Sequence, residues 1–233
     1  MGKSTNIPVL PLKWKRHERT LLCSLATGGE HIEMLELLAP TASHYARLHG
    51  MDCLMLPLPG KRLEPSRPPA WDKIVLIHHM LKLYDTVIWI DADAIICDPH
   101  KDIRAVLDRR IPMHLVVHKI GRRMIPNTGV WVLRSLSKTF EMLYYVWNDS
   151  RYINHRWWEQ AALMDLIGFD PESASFRGQT PYTAHVRFID REWNSRQADC
   201  AANPVIYHYC SSPKPIDDMY RRYDAFVRNV LQL

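Results

Sequence analysis

The sequence predicts an α/β fold, a mostly parallel, doubly wound sheet flanked by helices. Two observations and one general rule predict it. Short apolar runs bounded by turn residues recur along the chain, at 20–26, 53–56, 87–90, 114–117, 130–133 and 205–209. Stretches with apolar residues at helical spacing lie between many of them. Strands that alternate with helices close a parallel sheet, and such sheets bind ligands at the carboxyl ends of their strands.

The elements follow in order. After a polar lead, 20–26 reads as the first strand, broken by Thr27-Gly28-Gly29. Ile32, Leu35, Leu38 and Ala42 then predict a helix to about residue 48, with Gly50 as its C-cap. Cys53-Leu54-Met55-Leu56 is a second short strand. Residues 57–69 hold five prolines and one glycine, too many breakers for regular structure, and form a long loop. A helix is expected over 70–83, with Trp71, Ile74, Ile77, His78 and Leu81 near one face. The strand 87–90 follows, then 114–117. Asn127-Thr128-Gly129 introduces the strand 130–133. Helices are expected over 138–148 and 158–167, turns over 168–181, a late strand over 205–209 and a closing helix over 217–231. The chain holds no internal repeat and no low-complexity segment.

With 233 residues, 47% hydrophobic and 24% charged, the chain suits one large domain. Its net charge of +5 favours an anionic ligand but is too weak to argue for nucleic acid. Basic residues gather in Lys13-Trp14-Lys15-Arg16, Arg109-Arg110, Arg122-Arg123 and Arg221-Arg222; the first and last favour an anionic membrane surface weakly. Five cysteines at irregular spacing read as reduced thiols. No apolar stretch reaches the length of a membrane span, and the N-terminus lacks a signal-peptide core. Gly2-Lys3-Ser4-Thr5 imitates the end of a phosphate-binding loop but lacks its upstream glycine and strand. The expectation is a soluble cytoplasmic protein, bacterial or viral, without an integral membrane segment.

Asp91-Ala92-Asp93 is the strongest local signal. It follows the apolar run Val87-Ile88-Trp89-Ile90, so two carboxylates stand at the end of a buried strand. Alternation places Asp91 and Asp93 on one face. Two unpaired carboxylates there need solvent, a proton or a cation, and a hard divalent cation fits them and can in turn grip a phosphate. The simpler reading is a strand-end turn capped by Asp. A second signal is His208, ending the late strand, with Lys214 in a proline-braced loop six residues on. A neutral imidazole can join the same metal, and the lysine can neutralise phosphate oxygens. Taken singly, His208 is a hydrogen-bonded core histidine and Lys214 a solvated side chain.

These segments resemble the metal-dependent, nucleotide-sugar glycosyltransferases of the GT-A fold. The similarity is to the retaining family 34 galactosyl-, xylosyl- and mannosyltransferases and, more distantly, to the glycogenin-like family 8. Trp71-Asp72-Lys73-Ile74, residues 87–93, Asn127-Thr128-Gly129 and Glu159-Gln160 carry it. The segment from His208 to Pro215 resembles the HxxGxxKP pattern of family 8. The resemblance implies a Mn²⁺ or Mg²⁺ ion held by Asp91, Asp93 and His208. It implies a nucleoside-diphosphate sugar, a UDP-sugar, whose ribose faces Asp91 and whose diphosphate meets Lys214. Asn127, Thr128 and Gly129 would shape the sugar pocket, and Glu159 and Gln160 would lie beside the anomeric carbon. The acceptor is a glycan or other hydroxyl compound. A nucleotide-sugar half then covers about 20–133 and an acceptor half about 134–233. Three positions depart from the pattern: Ser211 replaces a glycine, Ile216 a tryptophan, and Trp158 an acidic residue where donor and acceptor contacts would carry over.

Other polar residues are less specific. Lys73 can reach a phosphate or base, or sit exposed on its helix. Arg191, Trp193, Asn194 and Arg196 can bind donor or acceptor, or brace a loop. Arg122-Arg123 can border the acceptor cleft. His78-His79 reads as structural. Two other functions compete: a haloacid-dehalogenase-like phosphatase, which also uses an Asp-x-Asp after an apolar strand with the first Asp as nucleophile, and a non-catalytic nucleotide- or glycan-binding module.

Overall fold

The computed structural model describes residues 6–8, 17–210 and 212–231, with the side chains of 17–19 and 231 left out. The basic cluster at 13–16, the Gly2-Lys3-Ser4-Thr5 segment and Ser211 lie outside the described residues. The central sheet has six strands in the order β2 (Asp52–Pro57), β1 (His17–Ala26), β3 (Tyr84–Ile90), β6 (Arg123–Arg134), β5 (Met113–Ile120), β9 (Val186–Ile189). Of these, β6 alone runs against the others, because β1 pairs parallel with β2 and β3, β9 pairs parallel with β5, and β6 is antiparallel to both its neighbours. Two small sheets complete the set: β4 (Ala94–Ile96) with β10 (Ile206–His208), and β7 (Phe169–Asp170) with β8 (Ser175–Phe176).

Strand alternation builds two cores, one on each face. Leu21, Cys23, Val87, Trp89, Trp131 and Leu133 face α2 (Asp72–Met80), α3 (Ser137–Asn148) and α4 (Trp158–Leu166). Leu22, Ile88, Ile90, Val130 and Val132 face α1 (Gly29–Leu48), through Leu35, Leu38, Ala42 and Tyr45. A third cluster, Met34, Leu37, Ile95, Tyr209 and Met219, seats α5 (Pro215–Phe226) on α1 and the β4–β10 pair. Helix α1 carries Pro40 in its interior, which costs about 3 kcal/mol. Its buried Met34, Leu35, Leu37, Leu38 and Tyr45 offset that, at roughly 1.5–3 kcal/mol for each large apolar side chain. The helix ends as expected at Gly50, whose φ of +62° lets Gly50 N–H reach Arg47 O at 3.3 Å and Met51 N–H reach Ala46 O at 2.8 Å.

Three expectations need correction. Asn127-Thr128-Gly129 lies inside β6, not ahead of it. The β5 register jumps from Leu115 opposite Trp131 to Val116 opposite Asn127, so Thr128, Gly129 and Val130 form a bulge. The helix expected over 70–83 is α2 alone, preceded by a 3₁₀ turn at Pro69–Trp71 and followed by a turn into β3. Strands β4, β7, β8 and β9 were not anticipated, because runs of two to four residues give no periodic signal. No helix among the described residues is long and apolar enough to cross a membrane.

Candidate metal and donor site

The polar residues collect where β3 ends. Beyond its buried apolar run, Asp91-Ala92-Asp93 forms the turn into β4. Asp91 N–H donates to Gly129 O at 2.7 Å, and Tyr209 N–H donates to Asp93 O at 2.8 Å, so the turn is tied to the β6 bulge and to the end of β10. Because β10 pairs with β4, with His208 opposite Ala94, the imidazole is carried to the same turn. Its Nε2 stands 3.2 Å from Asp93 Oδ1 and 3.8 Å from Asp91 Oδ2. One ligand atom from each of Asp91, Asp93 and His208 lies within 4.8 Å of the others. Ligands held about 2.0–2.6 Å from one ion lie no more than about 5 Å apart, so a single cation can touch all three.

A chain of amides aims the imidazole. His208 Nδ1 lies 3.0 Å from Asn194 Oδ1, Asn194 Nδ2 donates to Asn127 Oδ1 at 2.8 Å, and Asn127 Nδ2 donates to Gln160 Oε1 at 3.0 Å. Gly129 N–H and Thr128 N–H close the network, on Asn127 Oδ1 at 2.9 Å and on Gln160 Oε1 at 3.2 Å. With Nδ1 held by Asn194, Nε2 is the ring nitrogen directed at the carboxylates. Without a cation the charged ring pairs through Nε2 with Asp93 Oδ1 at 3.2 Å. A divalent cation bound by both carboxylates would take the place of that proton. Gly129 has a steric reason to be glycine, since a Cβ there would overlap the His208 ring.

Lys73 joins the two halves of the site. The sequence left open an exposed helix position; instead the residue is buried, with Nζ 2.8 Å from Asp91 Oδ1 and 2.9 Å from Glu159 Oε1. Trp89 Nε1 donates to the same Asp91 oxygen at 2.6 Å, and Thr128 Oγ1 donates to Glu159 Oε1 at 3.2 Å. Asp72, one residue earlier, is fully buried and anchors the proline-rich loop through Arg62 and the backbone N–H groups of Leu63 and Glu64. The motif Trp71-Asp72-Lys73 thus packs, braces and reaches the site with successive side chains. Lys214 is not brought in. It is exposed at the start of α5, and among the described residues no hydrogen bond or ion pair joins its ammonium to Asp91, Asp93 or His208. Ile216 packs beside the Tyr209–Met219 cluster. Arg191 braces a loop, with its guanidinium 2.9 Å from Asp199.

The charges are strongly coupled. Burial works against a charged His208, yet the neighbouring Asp93 and Cys210 lift its pKa well above the usual histidine range. Burial likewise works against the Asp93 carboxylate, and His208 still holds its pKa below the ordinary value. Burial pushes the Glu159 carboxyl up against the pull of Lys73. Lys73 is held charged by Asp91 and Glu159 despite its burial. Trp89 was not read from sequence as part of this machinery, because it looked like one more core aromatic. Asn194 was read as binding donor or acceptor or bracing a loop, and its place between His208 and Asn127 came only from the fold.

No protein-family model and no curated protein matches the chain. Solved structures do match. A glycosyltransferase involved in the glycosylation of the major capsid of PBCV-1 superposes with a TM-score of 0.64 at 16% identity, over 87% of this chain and 99% of that one. The galactosyltransferase LgtC, in complex with donor and acceptor sugar analogues, matches with a TM-score of 0.55 at 10% identity, over 88% and 95%. The glycosyltransferase GlyE of Streptococcus pneumoniae TIGR4 gives 0.57 at 13% identity, over 93% of this chain and 64% of that one. With its six-stranded, mostly parallel sheet between helical layers, the chain has the GT-A fold of these glycosyltransferases.

Proposed function

We propose that the chain is a metal-dependent glycosyltransferase that moves a sugar from a nucleoside-diphosphate sugar, of the UDP class, to a hydroxyl of a glycan or similar acceptor, with retention of anomeric configuration. The observation that carries this reading is the convergence of Asp91, Asp93 and His208 Nε2 on one point. The fold likeness to glycosyltransferases supports it. Retention and the UDP donor rest on the sequence resemblance.

Asp91, Asp93 and His208 would hold Mn²⁺ or Mg²⁺, which when bound neutralises the charge that develops on the leaving diphosphate. The protein's own residues do the rest. Lys73 and Trp89 fix one oxygen of Asp91 and leave Oδ2 directed toward His208. Lys214, on a long flexible stem, would swing onto the diphosphate once it is bound. Asn127, Thr128 and Gly129 would form the wall of the sugar pocket. Glu159 and Gln160 divide their labour. Gln160 has its oxygen engaged by Asn127 and Thr128, and so sets the pocket's shape. Glu159 has Oε1 engaged by Lys73 and Thr128, while its buried Oε2 has no hydrogen-bond partner. That free oxygen would stabilise positive charge at the anomeric carbon. We assign one catalytic unit, with the nucleotide-sugar half over about 20–133 and the acceptor half over about 134–233.

Incubation with a panel of UDP-sugars and Mn²⁺, reading UDP release and product, tests the proposal. Asp93→Ala and His208→Ala are expected to abolish metal-dependent turnover while circular dichroism shows the fold intact. Full turnover by either variant at wild-type metal dependence would overturn the assignment.

A further inference from the structure

Trp158 is the chain neighbour of the site residue Glu159, and the proposed transfer assigns it no role. It opens α4 immediately before Glu159, whose carboxylate lies 2.9 Å from Lys73, and adjacent Cα atoms are only about 3.8 Å apart. Its φ is +43°, in the left-handed region that bulky side chains avoid. The residue is 40% exposed, whereas Trp71, Trp89, Trp131, Trp147 and Trp193 are buried and Trp157 is half-buried. Trp158 is therefore the one exposed tryptophan among the described residues, held where glycine would be easier. Core packing does not explain it, because the preceding Trp157 is the one that packs on the core, under the Arg156 guanidinium at 4.6 Å. Backbone outliers of this kind gather at ligand sites, where binding keeps what stability alone would remove.

We propose that the Trp158 indole is the platform on which a sugar ring of the acceptor stacks. The inference rests on the glycosyl-transfer reading and deepens it by naming the acceptor as a pyranose-containing glycan. The apolar C–H face of a pyranose covers an indole while its hydroxyls remain in water, which suits a half-exposed aromatic ring. The donor sugar belongs deeper, among the buried Asn127, Thr128, Glu159 and Gln160. An exposed residue one position from Glu159 meets what arrives from solvent, the acceptor.

The test uses the full chain on a printed glycan array, with and without Mn²⁺ and UDP, and compares wild type with Trp158→Ala, Trp158→Gly and Trp158→Phe. Wild type should retain pyranose glycans, and retention should protect its exposed tryptophan from acrylamide quenching. Trp158→Ala and Trp158→Gly should lose retention about three- to tenfold, with Trp158→Phe between them and wild type. Where transfer is observed, the Ala variant should raise acceptor KM by the same factor and donor KM by less. Trp158→Gly also separates function from structure: its melting temperature should equal or exceed that of wild type, since the left-handed conformation becomes free of strain. A glycan profile unchanged in Trp158→Ala, an equal rise in donor KM, no retention by wild type, or a lowered melting temperature in Trp158→Gly would each overturn the platform. Absence of UDP release by wild type counts against the transferase reading alone, because retention on the array needs no turnover.

Discussion

Gly129 and Lys73 show how single residues set this site. A methyl group on Gly129 would overlap the His208 ring and press on Asn127 Oδ1 at 2.9 Å. The ring is buried and bonded to Asn194, so it cannot retreat without breaking the amide chain. Gly129→Ala is expected to cost about 1–3 kcal/mol by overpacking, and to weaken Mn²⁺ binding. Thermal melting and a Mn²⁺ titration check this; wild-type values in both would show that the ring is loosely held. Lys73→Met strips two carboxylates of their shared cation. Its side chain is 7% exposed and that of Glu159 3%, so the loss should be roughly 3–5 kcal/mol. The double variant Lys73→Met/Glu159→Leu should recover part of it. Simple additivity in denaturant titrations would mean that the pair is not coupled.

At the scale of the element, β5 carries a pH dependence. His114 is fully buried, and its Nε2 accepts the Asp108 N–H at 3.0 Å, which requires a neutral ring. Burial, aided by Arg187, pushes its pKa down to about 4. An unfolded histidine titrates near 6.5, roughly. Between those values the unfolded chain binds the extra proton, so stability is complete above the upper one and is lost as the pH falls toward the lower. The loss for this one group is on the order of 3 kcal/mol at the acid end. Urea titrations at several pH values should show it, and His114→Gln should flatten the slope. A variant with the wild-type slope would exclude His114 as the source. The same strand shows why its partner was misread: the bulge at Asn127-Thr128-Gly129 interrupts alternation, so the motif looked like a lead-in to a strand that in fact begins at Arg123.

For the whole molecule, a metal at the proposed site would act as a fastener. Its ligands would come from the turn after β3 and from β10, segments far apart in sequence that the β4–β10 pairing brings together. A cation binding the folded chain alone should stabilise it by about 2.7 kcal/mol at a hundredfold excess over Kd. Mn²⁺ should raise the melting temperature of wild type and leave that of His208→Ala unchanged. An equal rise in both would place the ion elsewhere.

The sequence by itself determined the layering and the places of the principal strands, though not all their ends, because apolar runs and period-3.6 patterns are local and each face of the sheet needs one. It also marked Asp91 and Asp93, since carboxylates after a buried run stand out in one dimension. Only the tertiary structure decided which polar groups meet. The orientation of His208 depends on Asn194, Asn127 and Gln160, drawn from three other elements. The burial of Lys73 depends on carboxylates from the turn after β3 and from α4. Hydrogen bonds and ion pairs are set by distance in space, and distance in space between remote segments is written in the packing of the strands and helices, not in the spacing of the letters.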